Sequence, residues 1–373
     1  MKLVFDTNII HEDFHLYGVY ITKLCSAAEK LGYDLMVPDV VVDEMVNQYR
    51  KKMLQHFPGY AGVLKMVTRT QGSEEKIDKD AFVGDKVREY EAFLRQRLIK
   101  LGIKVIAYPQ VDIKALVSKE LSVKKPFKEL KDGIVGYRDS LIWECIKSIC
   151  QPPQDLLEDP QIEFLSGNTK DFAGADKKLH PDLVSELKFA GFAENSVSLV
   201  PNVEEFFKNR IDTELEELDN IKDALLKVGK FNRFDLLEET ARVLSQGFID
   251  DALNGFDFDS GQSDYLPGYV EDPTVNNVND PIIDDVMVRR LSDQSVLIEV
   301  LARVSVDFDF FIENTNYLAL DIDQLPIVLE KNWNDYYMWC EGSATVSSSM
   351  AFRATPKLGK VLSVEVQVIG VDM

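Results

Sequence analysis

The first 200 residues predict an α/β fold: a three-layer domain with a mainly parallel central sheet and helices on both faces. Three observations lead there. Short apolar runs alternate with longer stretches whose apolar residues recur at helical spacing. Most of these elements stop at a glycine or a proline, the residues that end helices and strands. The intervals between strands are long enough for helical crossovers, which parallel neighbours require.

Taken in order, Lys2–Phe5 is a short apolar strand. Residues 17–31 carry apolar side chains at helical spacing, and Gly32 supplies the stop. Residues 33–37 form a second strand, closed by Pro38, which suits the first position of a helix running through Val42, Met45, Val46 and Tyr49. A long amphipathic helix over 79–101 ends at Gly102, and 103–107 is the third strand. A helix over 139–149 precedes the fourth strand, 162–166, which ends in Gly167-Asn168-Thr169, and 197–200 supplies a fifth.

The texture changes after Pro201. The domain boundaries expected are 1–200, then an acidic helical segment over 201–253, an irregular linker over 254–290 rich in Asp, Asn, Gly and Pro, and a β-rich domain over 291–373. Within the last, 296–312, 336–353 and 360–371 alternate Val, Phe, Tyr and Thr with polar residues, the pattern of a small antiparallel sheet with one wet face. Trp333, Tyr336, Tyr337 and Trp339 are expected to pack its core rather than to stack on bases.

Charge is divided as unevenly as texture. The net charge is −21, yet residues 1–200 hold 28 basic against 30 acidic side chains, while 201–373 hold 14 against 33. Residues 51–150 are locally basic, 20 against 13, so a polyanion could approach there and would be repelled elsewhere. The acidic half reads as a partner-binding module or as an autoinhibitory shield over the basic face. No run approaches the roughly 18 apolar residues of a membrane helix, so no membrane association is expected. The opening MKLVFDTN has an acid inside its apolar run and no small-residue cleavage site, unlike a signal peptide. Cys25, Cys145, Cys150 and Cys340 form no close pair and read as reduced thiols of a cytoplasmic protein.

The chemistry-bearing residues are acids at strand ends. In open parallel sheets functional groups collect beyond the carboxyl ends of strands. Asp6 follows the first strand, Glu44 lies in the helix after the second, Asp139 opens a helix, and Asp171 follows the fourth strand. Taken singly, each has a structural reading: Asp6, Asp139 and Asp171 as caps or turn formers, Glu44 as a solvated helix residue. Together they point elsewhere, because several carboxylates stay ionised in one place only with a cation. Mg²⁺ or Mn²⁺ suits oxygen ligands of this kind, and such ions serve phosphodiester hydrolysis.

Four segments carry a family resemblance: Val4-Phe5-Asp6-Thr7-Asn8-Ile9-Ile10, Val37-Pro38-Asp39-Val40-Val41-Val42-Asp43-Glu44, Tyr137-Arg138-Asp139-Ser140-Leu141-Ile142-Trp143-Glu144 and Ser166-Gly167-Asn168-Thr169-Lys170-Asp171-Phe172. In this order they resemble the signature segments of PIN-domain nucleases, most closely a bacterial PIN-like branch with longer chains and a C-terminal extension. The resemblance spans roughly residues 1–180. It implies a Mg²⁺- or Mn²⁺-dependent endonuclease that acts on single-stranded or structured RNA, with Asp6, Glu44 and Asp139 as core metal ligands supported by Thr7 and Asn8. For the fourth position the chain offers Asn168 or Asp171; the acid is favoured, with Asn168 orienting water. Toxins, RNA-processing enzymes and defence nucleases occur in the family, and a regulated toxin or defence effector is compatible with a long stand-alone chain, as a monomer or a dimer.

The charge map adds substrate contacts. Lys124, Lys125, Lys128 and Lys131 lead up to the Asp139 segment, Arg138 adjoins Asp139, and Lys170 adjoins Asp171, so a phosphate backbone could be held over the acids. Glu144, one turn beyond Asp139, either accepts from a metal-bound water or pairs with a lysine. Three other classes compete. His11-Glu12-Asp13-Phe14-His15 matches the H-E-x-x-H pattern of zinc proteases, which works only with both His on one helix face. A haloacid-dehalogenase-type phosphotransferase would need an Asp where Asn8 stands. An inactive PIN fold used as a binding scaffold would not need the acids intact.

Overall fold

The computed structural model describes residues 1–10, 13–70, 78–131, 133–152, 160–248, 269–321 and 325–372. It comprises two compact units, Met1–Glu214 and Leu215–Met373. The first thus extends 14 residues past the boundary expected at 200.

In the first unit β1 (Lys2–Phe5) leads to a single turn, α1 (Thr7–Ile10), then α2 (Val19–Leu31) and β2 (Asp34–Pro38). Gly32 ends α2 in the left-handed conformation, φ +64°, which glycine adopts without strain. Pro38 is the last residue of β2 rather than the first of the helix, so α3 (Asp39–Thr70) begins one residue later. A hairpin of helices follows: α3 is paired with α4 (Lys79–Lys100), and Tyr49 stacks on Tyr90 at 4.1 Å. Asp78 caps α4 by accepting from the amides of Asp80 and Ala81. The chain continues through β3 (Lys104–Ile106), α5 (Ile113–Leu121) and a small hairpin, β4 (Lys128–Leu130) and β5 (Gly133–Val135). It then runs through α6 (Tyr137–Ser148), β6 (Ile162–Leu165), α7 (Thr169–Phe172), α8 (Pro181–Phe189) and β7 (Val197–Val200).

The sheet order is β3-β2-β1-β6-β7, with every pairing parallel. Leu3, Val4 and Phe5 of β1 and Ile162, Phe164 and Leu165 of β6 are at most 1 % exposed, so the central strands are covered on both faces as the three-layer fold requires. From β1 the chain winds outward to β2 and β3, and from β6 the other way to β7. The order therefore reverses between β1 and β6, and the crevice at their carboxyl ends is where open α/β sheets place ligands.

The second unit holds most of a helix, Asp212–Val228, a second helix, Leu236–Phe248, and a six-stranded antiparallel sheet. Two 18-residue strands, Val296–Glu313 and Tyr337–Ala354, pair without a break from Val296–Ala354 to Glu313–Tyr337. Burial alternates along both, and Val300, Val304, Phe308, Val346 and Phe352 line the covered face. The stretch read as an irregular linker differs: Glu271–Val278 and Ile282–Arg290 are strands on the long Val296–Glu313 strand. Each buries one valine, Val275 or Val286, and leaves its Asp and Asn residues solvated, which hides the alternation in the sequence. The aromatic stretch also differs from expectation. Trp333 packs against Trp339 and Phe311 at 5.5 Å each, and it is half exposed on the opposite, wetter face.

Candidate active site

Asp6 is the first residue after β1, held at the reversal point of the sheet and 3 % exposed. Its carboxylate is an acceptor on every side described. Oδ1 accepts from the Thr7 amide at 2.7 Å, and Oδ2 accepts from Asn8 Nδ2 at 2.6 Å and from the Ser166 hydroxyl at 2.5 Å. Burial pushes the Asp6 carboxyl up to about 6, with the Glu44 charge adding to the rise and these three donors opposing it.

Ser166 follows β6 directly and is fully buried. Besides donating to Asp6, its oxygen accepts from the Asn168 amide at 3.1 Å. The Asn168 side chain in turn donates to Oδ1 of Asp139 at 3.1 Å. One hydrogen-bonded chain therefore runs from Asp6 through Ser166 and Asn168 to Asp139. Gly167 completes it by donating its amide to Asn8 Oδ1 at 2.8 Å. Asn168, proposed from sequence as a ligand or a water-orienting neighbour, here orients Asp139. Ser166 stands in the fourth signature segment, but sequence reasoning gave it no role; its one signal was its place at the end of the fourth apolar run.

Asp139 lies in the first turn of α6 and is not its cap, which is Gly136. Burial, then the charges of Asp171, Asp6 and Glu44, push its carboxyl up to about 7, while Lys128 pulls the other way. These couplings bring the four acids named from sequence into one electrostatic neighbourhood. Glu44, in the second turn of α3, accepts from the Thr7 hydroxyl at 2.7 Å and from Arg138 at 2.7 Å. Asp171, 2 % exposed in α7, accepts from Lys128 Nζ on both oxygens, at 2.6 and 2.7 Å.

The basic residues fall into two groups. Lys128 and Arg138, read from sequence as substrate contacts, are engaged by the acids themselves. Lys125 donates to the Lys170 carbonyl at 2.6 Å, which sets an exposed ammonium beside the Asp171 segment, and Lys170 is exposed too. Lys124 lines a separate cavity of 660 Å³ with Lys119, Glu144, Lys147 and Glu186. Glu144 pairs there with Lys147 at 2.7 Å, the second of its two readings.

His11 and Glu12 lie outside the described residues, α1 ends at Ile10, and His15 sits in a turn with its ring stacked on Tyr17 and edge-on to Phe93.

Among the described residues no three His, Cys, Asp or Glu side chains stand close enough together to hold a metal ion jointly. The donor set nevertheless fits a hard cation. Mg²⁺ keeps several waters and commonly takes only one or two protein carboxylates. Asp6 and Asp139 are two carboxylates with raised pKa and no ion pair among the described residues, whereas Glu44 and Asp171 each have one.

Among the described residues no helix is long and apolar enough to cross a membrane. Neither the curated proteins nor the solved structures yield a match to the chain. A family model described as a PIN domain matches residues 3–172, a span that runs from β1 to the end of α7 and contains Asp6, Glu44, Asp139, Ser166 and Asp171. Residues 3–172 of this chain are therefore similar to a PIN domain, a nuclease-type fold.

Proposed function

We propose that the PIN domain is a Mg²⁺- or Mn²⁺-dependent endoribonuclease, with Asp6 and Asp139 as the carboxylates that hold the cation. The observation that carries this reading is the hydrogen-bonded chain Asp6–Ser166–Asn168–Asp139, which links the two carboxylates at the reversal point of the sheet. When bound, the cation supplies Lewis acidity: it activates water and steadies the charge that builds on the phosphate and the departing oxygen.

The chain's own residues do the rest. Asn8, Thr7 and Ser166 keep Asp6 in one orientation, so no reorganisation is needed when charge builds up nearby. Arg138, 58 % exposed beside Asp139, is placed to exchange Glu44 for a substrate phosphate. Lys125 and Lys170 add positive charge at the α7 end. The helix that delivers Glu44 continues for 26 residues with Arg50, Lys51, Lys52, Lys65 and Arg69 and no acid, a path a polyanion can follow in an otherwise acidic protein. On charge asymmetry alone, the acidic remainder of the chain serves a protein partner or restrains the nuclease, as a regulated toxin or defence effector would require.

The test is cleavage of labelled single-stranded RNA, tRNA and DNA by the purified full chain, with Mn²⁺ and with chelator, beside Asp6→Asn and Asp139→Asn. RNA should be cut in a metal-dependent way and both variants should be silent. Equal cleavage by the variants would remove these two acids from the chemistry, and RNA bound but uncut by the unmodified chain would make the fold a binding scaffold. Preference for DNA would correct the substrate and leave the chemistry.

A further inference from the structure

The four acids of the site are not equally available. Asp171 is almost wholly buried, and both of its oxygens are taken by the ammonium of Lys128. A carboxylate so deep cannot remain charged unless a cation pairs with it and satisfies its acceptors. Lys128 does so from β4, whose hairpin partner β5 ends two residues before the helix bearing Asp139. The lysine thus comes from a different element than any of the acids.

Charge balance follows directly. Of the four carboxylates, Asp171 is paired with Lys128 and Glu44 with Arg138. The two without an ion pair among the described residues are Asp6 and Asp139, and one divalent ion would match their two carboxylates. A second divalent ion would have to enter against a fixed ammonium, and Asp171 could join it only by giving up both hydrogen bonds.

We infer that the site takes a single divalent cation, on Asp6 and Asp139, because the Lys128 ammonium clasped by Asp171 occupies the place of a second. The inference rests on the metal-dependent reading above and specifies it. Lys128 is then a positioning residue, a built-in cation that holds Asp171 away from the metal. One ion held by Asp6 and Asp139 would supply the Lewis acidity, and Lys128 and Arg138 would supply the remaining positive charge of the site.

Stoichiometry decides the matter without any activity assay. Mn²⁺ binding to the full chain, followed by isothermal titration and by the electron paramagnetic resonance of free Mn²⁺, should give one ion per chain. Lys128→Met leaves Asp171 unpaired and should take up a second ion. The double variant Lys128→Met/Asp171→Leu removes both charges together and should return to one ion, with an affinity within a few-fold of the unmodified protein. That variant retains an apolar filling at the pair and remains informative if the single variant fails to fold. Two ions on the unmodified chain, or one ion on folded Lys128→Met, would overturn the inference while leaving the metal site intact. No Mn²⁺ on any of the three would instead remove the metal-dependent reading, and this inference with it.

Discussion

Ser166 donates its hydroxyl to Oδ2 of Asp6 at 2.5 Å and so ties the end of β6 to the end of β1 where the strand order reverses. The same Oδ2 accepts from Asn8, which itself accepts the Gly167 amide, so the two strand ends are cross-linked in both directions. Asp6 is in this way a fixed acceptor whose orientation is set by the sheet rather than by its own rotamer.

Ser166→Ala should therefore weaken metal binding without unfolding the domain. Groups that orient a ligand typically contribute a factor of about 10–100 in metal affinity. The loss of one buried hydrogen bond to a charged acceptor costs about 1.5–3 kcal/mol. The expected result is a Mn²⁺ dissociation constant at least tenfold higher, with the circular dichroism spectrum unchanged. Unaltered affinity would mean that Asn8 and Thr7 hold Asp6 unaided.

Gly136 governs the other end of the chain of contacts. It precedes α6 with φ +121°, and a Cβ there would stand 2.6 Å from the Pro126 carbonyl oxygen and 2.9 Å from Phe127 Cα. Both neighbours are backbone and cannot turn aside. Gly136→Ala must push apart the segment leading to Lys128 and the helix bearing Asp139. Backbone strain of this kind costs about 1–3 kcal/mol, and a displacement near 1 Å at a reacting group can cost about a hundredfold in rate. A lower melting temperature together with a hundredfold slower cleavage is expected. Full activity would show that α6 does not depend on this close approach.

Much of this arrangement is readable in the chain. Asp6, Glu44 and Asp139 follow buried runs or open helices, and the strands that position them are apolar enough to announce themselves. Ser166 has no such signal: a serine after a strand is ordinary until its neighbour strand is known to end in an acid. Lys128 read as one more lysine in a basic loop, because its three-residue strand is too short for any periodicity and its partner Asp171 is 43 residues away. The two edge strands over 271–290 were obscured for a related reason, since each buries only one face and its solvated residues have the composition of a loop.

Asp139→Asn separates charge from fold. Burial and three neighbouring acids already disfavour the Asp139 carboxylate, whose pKa is pushed up to about 7. The asparagine keeps an oxygen for the Asn168 amide and removes the charge. With chelator present at neutral pH, the variant should be more stable than the unmodified protein by about 1 kcal/mol, given about 1.4 kcal/mol per pKa unit and screening of the solvent-facing side. Mg²⁺ should raise the melting temperature of the unmodified chain and leave that of the variant unchanged. A variant less stable than its parent in chelator would show that the carboxylate is a structural acceptor first.

Glu186 sets the stability of the same domain away from the acids. It accepts from Trp143 Nε1 at 2.9 Å and pairs with Lys119 at 2.6 Å and Lys147 at 3.0 Å, joining α5, α6 and α8. Burial alone would raise its pKa, but Lys119 and Lys147 outweigh burial and hold it below its ordinary value of 4.5. A depressed carboxyl contributes stability that is present above the unfolded value and is lost as pH falls through the folded one. The Lys119 ammonium, 8 % exposed, would be left buried and unpaired by Glu186→Gln, which costs about 3 kcal/mol when one partner of such a pair is removed. Unfolding free energies from urea titration should differ by that amount at pH 7 and converge below about pH 4 as the native glutamate takes up its proton. Mn²⁺ affinity should be the same in both proteins, because the far end of α6 is anchored here while Asp139 is oriented by Asn168. A gap in unfolding free energy that persists undiminished at pH 3 would show that the contribution of Glu186 is packing rather than charge.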